Sequence, residues 1–223
     1  MDFQPTTLLY GGDTSELGCI SFFNKNKVRL IEGERLSVDY ALLDTMLVKH
    51  VGLVERHVNK LVYLEGNHEY RVKMLIDEDP QSHAGFIEME DPKVTKITPL
   101  GFKWIERRKM YDAGGVKFFH GDYKDGYTAA NHAKAIAVLY HRNMVYGHFH
   151  SEMAHTEHSP IEDEVFTATS VGTMGHTNPE WKKNAPSGWV NSFFVAEGEP
   201  GAWNTQVVRI FKDGFTYKGV KYT

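Results

Sequence analysis

The apolar positions of this chain change period along its length. Thr6-Thr7-Leu8-Leu9-Tyr10 is a short strand signal closed by Gly11-Gly12, and it delivers Asp13 at its carboxyl end. From Ser37, a residue type suited to a helix N-cap, apolar side chains recur at Val38, Leu42, Leu43, Met46, Leu47, Val51, Val54 and Val58. That spacing predicts a helix over 38–59. The helix runs into Leu61-Val62-Tyr63-Leu64, a compact apolar strand signal, and then into the polar turn Gly66-Asn67-His68-Glu69. Strand, helix and strand in this order make an α/β unit.

Further on, 69–76 reads as a helix stopped by Asp77 to Pro80, followed by a short helical pattern near Phe86 to Met89 with Pro92 and Pro99 as breakers. Phe102 to Ile105 is a candidate strand, and Val116 to Phe119 a firmer one that ends at His120 after the turn Ala113-Gly114-Gly115. An alanine-rich helix is predicted over 127–141, then a strand over Asn143 to Tyr146 that ends in Gly147-His148-Phe149-His150. The last third turns β-rich, with runs at Val165 to Ser170, Trp189 to Ala196, Thr205 to Phe211 and Phe215 to Tyr222, and it predicts a second sheet. His155, His158 and His176 fall in loops after the strand ends, and 178–187 is a polar loop with prolines.

Bulk composition narrows the class. A length of 223 residues suits one domain over 1–223, and an apolar content of 41% supports a sizeable core and excludes a disordered chain. The formal charge of −4 argues against a broad basic face for nucleic acid, leaving only local clusters such as Arg107-Arg108-Lys109 and Lys182-Lys183. A single cysteine, Cys19, cannot form an internal disulfide, so a cytoplasmic location is expected. No run approaches the ~18 apolar residues of a membrane helix, and Met1-Asp2-Phe3-Gln4-Pro5 lacks the basic start and apolar centre of a signal peptide.

The histidines carry the chemistry. Of twelve in the chain, His68, His120, His148 and His150 sit at or just beyond strand ends, beside Gly or Asp, and Asp13 stands at another strand end. One such histidine is an ordinary polar cap, but several at neighbouring strand ends point to a site, where an open α/β sheet places its ligands. Oxygen and imidazole donors without thiolates suit Mn, Fe, Zn or Ni better than Ca or a structural zinc clip. His132, inside the alanine-rich helix, reads as a packing or hydrogen-bonding residue, and the four tryptophans as anchors.

Gly12-Asp13, Gly66-Asn67-His68-Glu69, His120-Gly121 and Gly147-His148-Phe149-His150, in this order, resemble the calcineurin-like metallophosphoesterase family, and the tail around Asn178 to Trp181 and Trp189 to Asn191 resembles its phage versions. The resemblance implies a four-layer α/β/β/α sandwich of two mixed sheets flanked by helices, with a two-metal site at the strand ends. It implies that Asp13 bridges the metals, that Asn67, His120 and His148 complete one of them, and that His150 binds the other. His68 takes the place of the acid histidine, with Glu69 orienting its imidazole. The implied activity is metal-dependent hydrolysis of a phosphomonoester or phosphodiester, nucleotides and nucleic acids among the candidate substrates, with manganese one of the candidate metals. The alternative is a catalytically impaired relative that binds metal, phosphate or a partner.

One motif is missing. The family's first strand carries Asp-x-His, and this chain has no Asp-x-His anywhere. Either Asp13-Thr14-Ser15 is that motif with its histidine changed to serine, or Gly12-Asp13 is the second motif and the fold begins one strand and one helix late. The second alignment is favoured, which predicts one well-formed metal position and a second with only Asp13 and His150. It also predicts an uncovered edge at the strand from Thr6, which a second copy of the chain would cover.

Overall fold

The apolar run Leu61 to Leu64 becomes the middle of a parallel three-stranded sheet, buried along most of its length as such a run requires. The computed structural model describes residues 4–90, 94–122, 130–161, 163–179 and 187–223. The chain divides into two compact units, Met1–Lys109 and Met110–Thr223, both mixing helices with sheet.

The first unit contains β1 (Thr7–Tyr10), α1 (Val28–Ile31), α2 (Leu36–Val54), β2 (Lys60–Leu64), α3 (Arg71–Glu78), α4 (Pro80–His83) and β3 (Phe102–Ile105), with sheet order β1-β2-β3. Register aligns Tyr10 with Tyr63 and Tyr63 with Trp104, so three rings share one face and stack at 5.7 and 5.2 Å between centroids. Leu43 and Leu47 of α2 pack into this face with Ile97 and Phe102. A second cluster joins Leu36 and Tyr40 to Leu17 and to Val72 and Ile76 of α3.

The expected helix over 38–59 is shorter and turned differently. Its core face is Leu36, Tyr40, Leu43 and Leu47, whereas Val38, Leu42 and Leu53 are exposed. It ends at Val54, the His57 and Val58 amides turn back to the Val54 carbonyl, and the Asn59 amide then joins the sheet, donating to the Thr6 carbonyl at 3.0 Å. Helical hydrogen bonding and strand pairing compete for that amide, and strand pairing wins. The break at Asp77 to Pro80 is a restart: the Asp79 side chain caps α4 by accepting from the Ser82 amide, with Pro80 at the first helical position.

The second unit holds β4 (Tyr111–Ala113), β5 (Val116–Phe119), α5 (His132–Tyr140), β6 (Asn143–Tyr146), β7 (Met153–Ser159) and β8 (Glu164–Ser170) in a sheet of order β4-β5-β6-β8-β7. Its three inner strands are parallel and both edges antiparallel. Ile136 and Ala137 of α5 pack on Phe119, Met144, Tyr146 and Ala168 of that sheet. Two hairpins follow, β9 (Ser192–Glu199) with β10 (Ala202–Arg209), and β11 (Phe215–Tyr217) with β12 (Val220–Tyr222).

The β-rich last third therefore does not form one separate sheet, since β8 joins the strands that carry His120 and His148. His155 and His158 are not loop residues: they lie on β7, opposite Ala168 and Val165 of β8. Edge pairing imposed the strand where the polar sequence of β7 showed no apolar run. The Tyr127 start of the alanine-rich helix, Pro92, Trp181 and Lys182-Lys183 lie outside the described residues. Among the described residues, no helix is long and apolar enough to cross a membrane.

Candidate metal centre

In the first unit the site is built where β1 and β2 end. Asp13 lies beyond β1 with a left-handed backbone, φ 55°, and its side chain is 8% exposed. Its Oδ1 accepts from the His68 amide at 2.9 Å, which ties the turn after β1 to the turn after β2. Gly66 makes this approach possible, because a Cβ there would overlap both the carboxylate and the amide of Asp13. Asn67 and His68 are half-buried in the same turn. The His68 imidazole stands between two carboxylates, Nε2 3.8 Å from Asp13 Oδ2 and Nδ1 3.8 Å from Glu16 Oε2.

Glu69 carries a part that its place beside His68 did not predict. Buried to 2% exposure, its Oε2 accepts from the amides of Asp13 (2.9 Å) and Gly66 (3.0 Å), and its Oε1 from the amides of Thr14 (2.7 Å) and Ser15 (3.3 Å) and from the Tyr63 hydroxyl (2.9 Å). These bonds clamp the 13–15 backbone onto β2 and the turn that follows it. A carboxylate accepting from several backbone amides is a strong, charge-assisted arrangement. It orients the Asp13 turn.

Two further residues support these turns, and neither was predicted. Glu65, buried immediately after β2, accepts from Lys73 Nζ and from the Arg107 amide, both at 2.8 Å, which joins the ends of β2 and β3 to α3. Arg71 donates to the Glu16 carbonyl and, at 3.4 Å, to that of Leu17, shaping the chain that follows Asp13. The only sequence signal was a charged residue next to a buried strand end. The Arg107 guanidinium, part of the predicted basic cluster, lies over the Tyr70 ring at 4.6 Å.

In the second unit, His120 follows β5 and His148 follows β6, strands paired side by side in parallel. His120 is 3% exposed, and its Nε2 is 3.2 Å from His148 Nδ1. Two nitrogens bound to one ion at ~2.0–2.1 Å would stand roughly 2.8–3.4 Å apart in cis-octahedral to tetrahedral geometry, so this spacing fits a shared ion. Without an ion, the same separation serves an N–H···N hydrogen bond. The Phe149 amide donates to the Gly147 carbonyl at 2.7 Å, closing a γ-turn about His148 with φ 62°, and His150 follows with φ 58°. Such backbone conformations cost on the order of 1–3 kcal/mol each and persist where the surroundings impose them.

Three of the eight non-glycine residues with positive φ among the described residues are therefore predicted ligands, Asp13, His148 and His150. Gly121 lies close against His148, where a Cβ would sit 3.0 Å from that of His148. The His150 ring meets Trp189 edge to face at 4.0 Å, and its carbonyl accepts from the Val190 amide at 3.0 Å. Beneath the turn, His132 is fully buried, and burial first, then the positive charge of His148, holds its pKa below the ordinary histidine range. His132 is thus the packing and hydrogen-bonding residue its helical position predicts.

No family model matches this chain, and no curated protein matches it. Among solved structures, it is similar to the crystal structure of a single mutant of Vps29 from Entamoeba histolytica, with a TM-score of 0.34 and 12% identity, over 55% of this chain and 69% of that one. A likeness of that depth carries no argument about activity.

Proposed function

We propose that this protein is a metal-dependent phosphoesterase, with Asp13, Asn67, His120 and His148 holding one divalent ion. The observation that carries this reading is the 3.2 Å spacing of the His120 and His148 ring nitrogens, at the ends of two adjacent parallel strands. The donors are amide or carboxylate oxygens and imidazoles, a set that fits Mn, Fe, Zn or Ni. His150, with Asp13, offers only two donors for a second ion. In this reading residues 1–223 make one domain of the four-layer metallophosphoesterase type, working in the cytoplasm.

When bound, a divalent ion supplies charge neutralisation at the phosphoryl oxygens and a more acidic water. Everything else falls to side chains. His68, flanked by Asp13 and Glu16, gives its proton to the leaving oxygen, as a general acid one residue from the ligand Asn67. Glu69 keeps Asp13 in place through the backbone of its turn.

The test is hydrolysis of a bis-aryl phosphodiester with added manganese, alongside manganese binding by calorimetry. His148→Ala should abolish both, and His68→Asn should lower kcat by about 10²–10⁴-fold while binding is kept. Metal binding without turnover would favour a non-catalytic binding relative, and activity unchanged by both substitutions would overturn the site.

A further inference from the structure

The phosphoesterase reading leaves one buried pair without a task, His132 and Tyr146. His132 opens α5, and its Nδ1 lies 2.6 Å from the Tyr146 hydroxyl. Its ring lies flat on that of Phe149, with centroids 4.0 Å apart and planes within 2°. An apolar ring could pack on Phe149 equally well, but it could not hold the Tyr146 hydroxyl, which is sealed in the same core. Phe149 stands between His148 and His150, and its own amide closes the γ-turn about His148. Tyr146 is the last residue of β6, so the pair fixes the turn from both its strand side and its ring side.

We propose that His132 is a positioning residue: through the stack on Phe149 and the bond to Tyr146, it holds His148 and His150 in the left-handed conformation. The value of that conformation rests on His148 and His150 being ligands, but the positioning itself does not. A locked Phe149 ring opposes relaxation of its two neighbours toward extended backbone, which would swing both imidazoles away. Residues that orient ligands from behind in this way typically alter metal affinity without touching the ion.

The experiment is NMR of the full chain without metal, followed by manganese titration. A left-handed residue has a short distance between its own amide and α protons, read as a strong cross-peak. We expect strong cross-peaks at His148 and His150 in the wild type and weakened ones in His132→Phe, which keeps the flat ring but loses the bond to Tyr146. Both should be lost in His132→Ala and in Phe149→Leu, and manganese affinity in those two variants should fall by about 10- to 100-fold. Folded His132→Ala with both signatures intact overturns the proposal. If that variant does not fold, Phe149→Leu with both signatures intact overturns it equally. Loss of the signatures in a protein whose wild type takes up no manganese supports the positioning and strikes the metal reading alone.

Discussion

Glu69→Gln separates two roles for the same residue. Glutamine keeps the size of the side chain but has one acceptor oxygen where the carboxylate has two. In the wild type, Oε1 accepts from Thr14, Ser15 and Tyr63, and Oε2 from Asp13 and Gly66. A glutamine that places its carbonyl oxygen at the first position turns its NH2 toward the amides of Asp13 and Gly66. Two donors in a buried network then face a donor, at ~1–3 kcal/mol each, for a total of roughly 2–6 kcal/mol. Set against a typical stability of ~5–15 kcal/mol, this is a large loss.

The assay is urea unfolding, where an m-value of ~2 kcal/mol/M turns that loss into a fall of roughly 1–3 M in the midpoint. His68→Ala is the control, because His68 is a partly exposed ring outside the clamp. If Glu69 acts on the Asp13 turn, Glu69→Gln loses stability and metal binding together, and His68→Ala keeps its midpoint. If Glu69 acts through the imidazole, both substitutions lower turnover and neither moves the midpoint by more than ~0.3 M. The second result would refute the clamp.

Other consequences can be checked in the same laboratory. Gly66→Ala puts a methyl group into the Asp13 turn, so it should destabilise by roughly 1–3 kcal/mol and weaken manganese binding, and an unchanged melting temperature would contradict the close approach described. Treatment with a chelator should abolish phosphodiester hydrolysis and leave the far-UV spectrum in place, with manganese restoring activity; turnover that survives chelation would exclude the metal. The pKa of His132 is lowered by folding, so the unfolded chain binds more protons between the folded value and the ordinary 6.5. Its contribution to stability is thus complete above 6.5, is lost as pH falls through that value, and levels off below the folded pKa. Urea midpoints measured between about pH 8 and 5 should fall less steeply in His132→Phe, and identical slopes would show that His132 titrates alike in both states.

Much of the frame was legible because burial on both faces of a parallel strand leaves few residue choices. Leu61 to Leu64, Val116 to Phe119 and Asn143 to Tyr146 each read as a strand and each is one, ending next to Asn67, His120 and His148. What could not be read was imposed by partners distant in sequence. β7 is polar from His155 to Ser159 and pairs with β8 along its length, so His155 and His158 look like loop residues until the register is known. The expected helix was drawn to Asn59, whose amide instead donates to the Thr6 carbonyl, a bond that no local period records.

The proposed ligands were legible in the sequence, and what holds them was not. Residue type reports ligand chemistry directly, because few side chains can bind a divalent ion. Support reports itself only through geometry: Glu69 looked like a neighbour of His68 because it is adjacent in sequence, yet its carboxylate reaches back 54 to 56 residues to the amides of Asp13, Thr14 and Ser15. The left-handed backbone of Asp13, His148 and His150 is equally invisible in a residue string, although Asp and His tolerate it better than most. A glycine at those positions would adopt the turn at less cost but could not bind metal. In the proposed reading the chain accepts strain to keep a ligand there, and the clamp by Glu69 and the stack of His132 on Phe149 are the contacts that offset it.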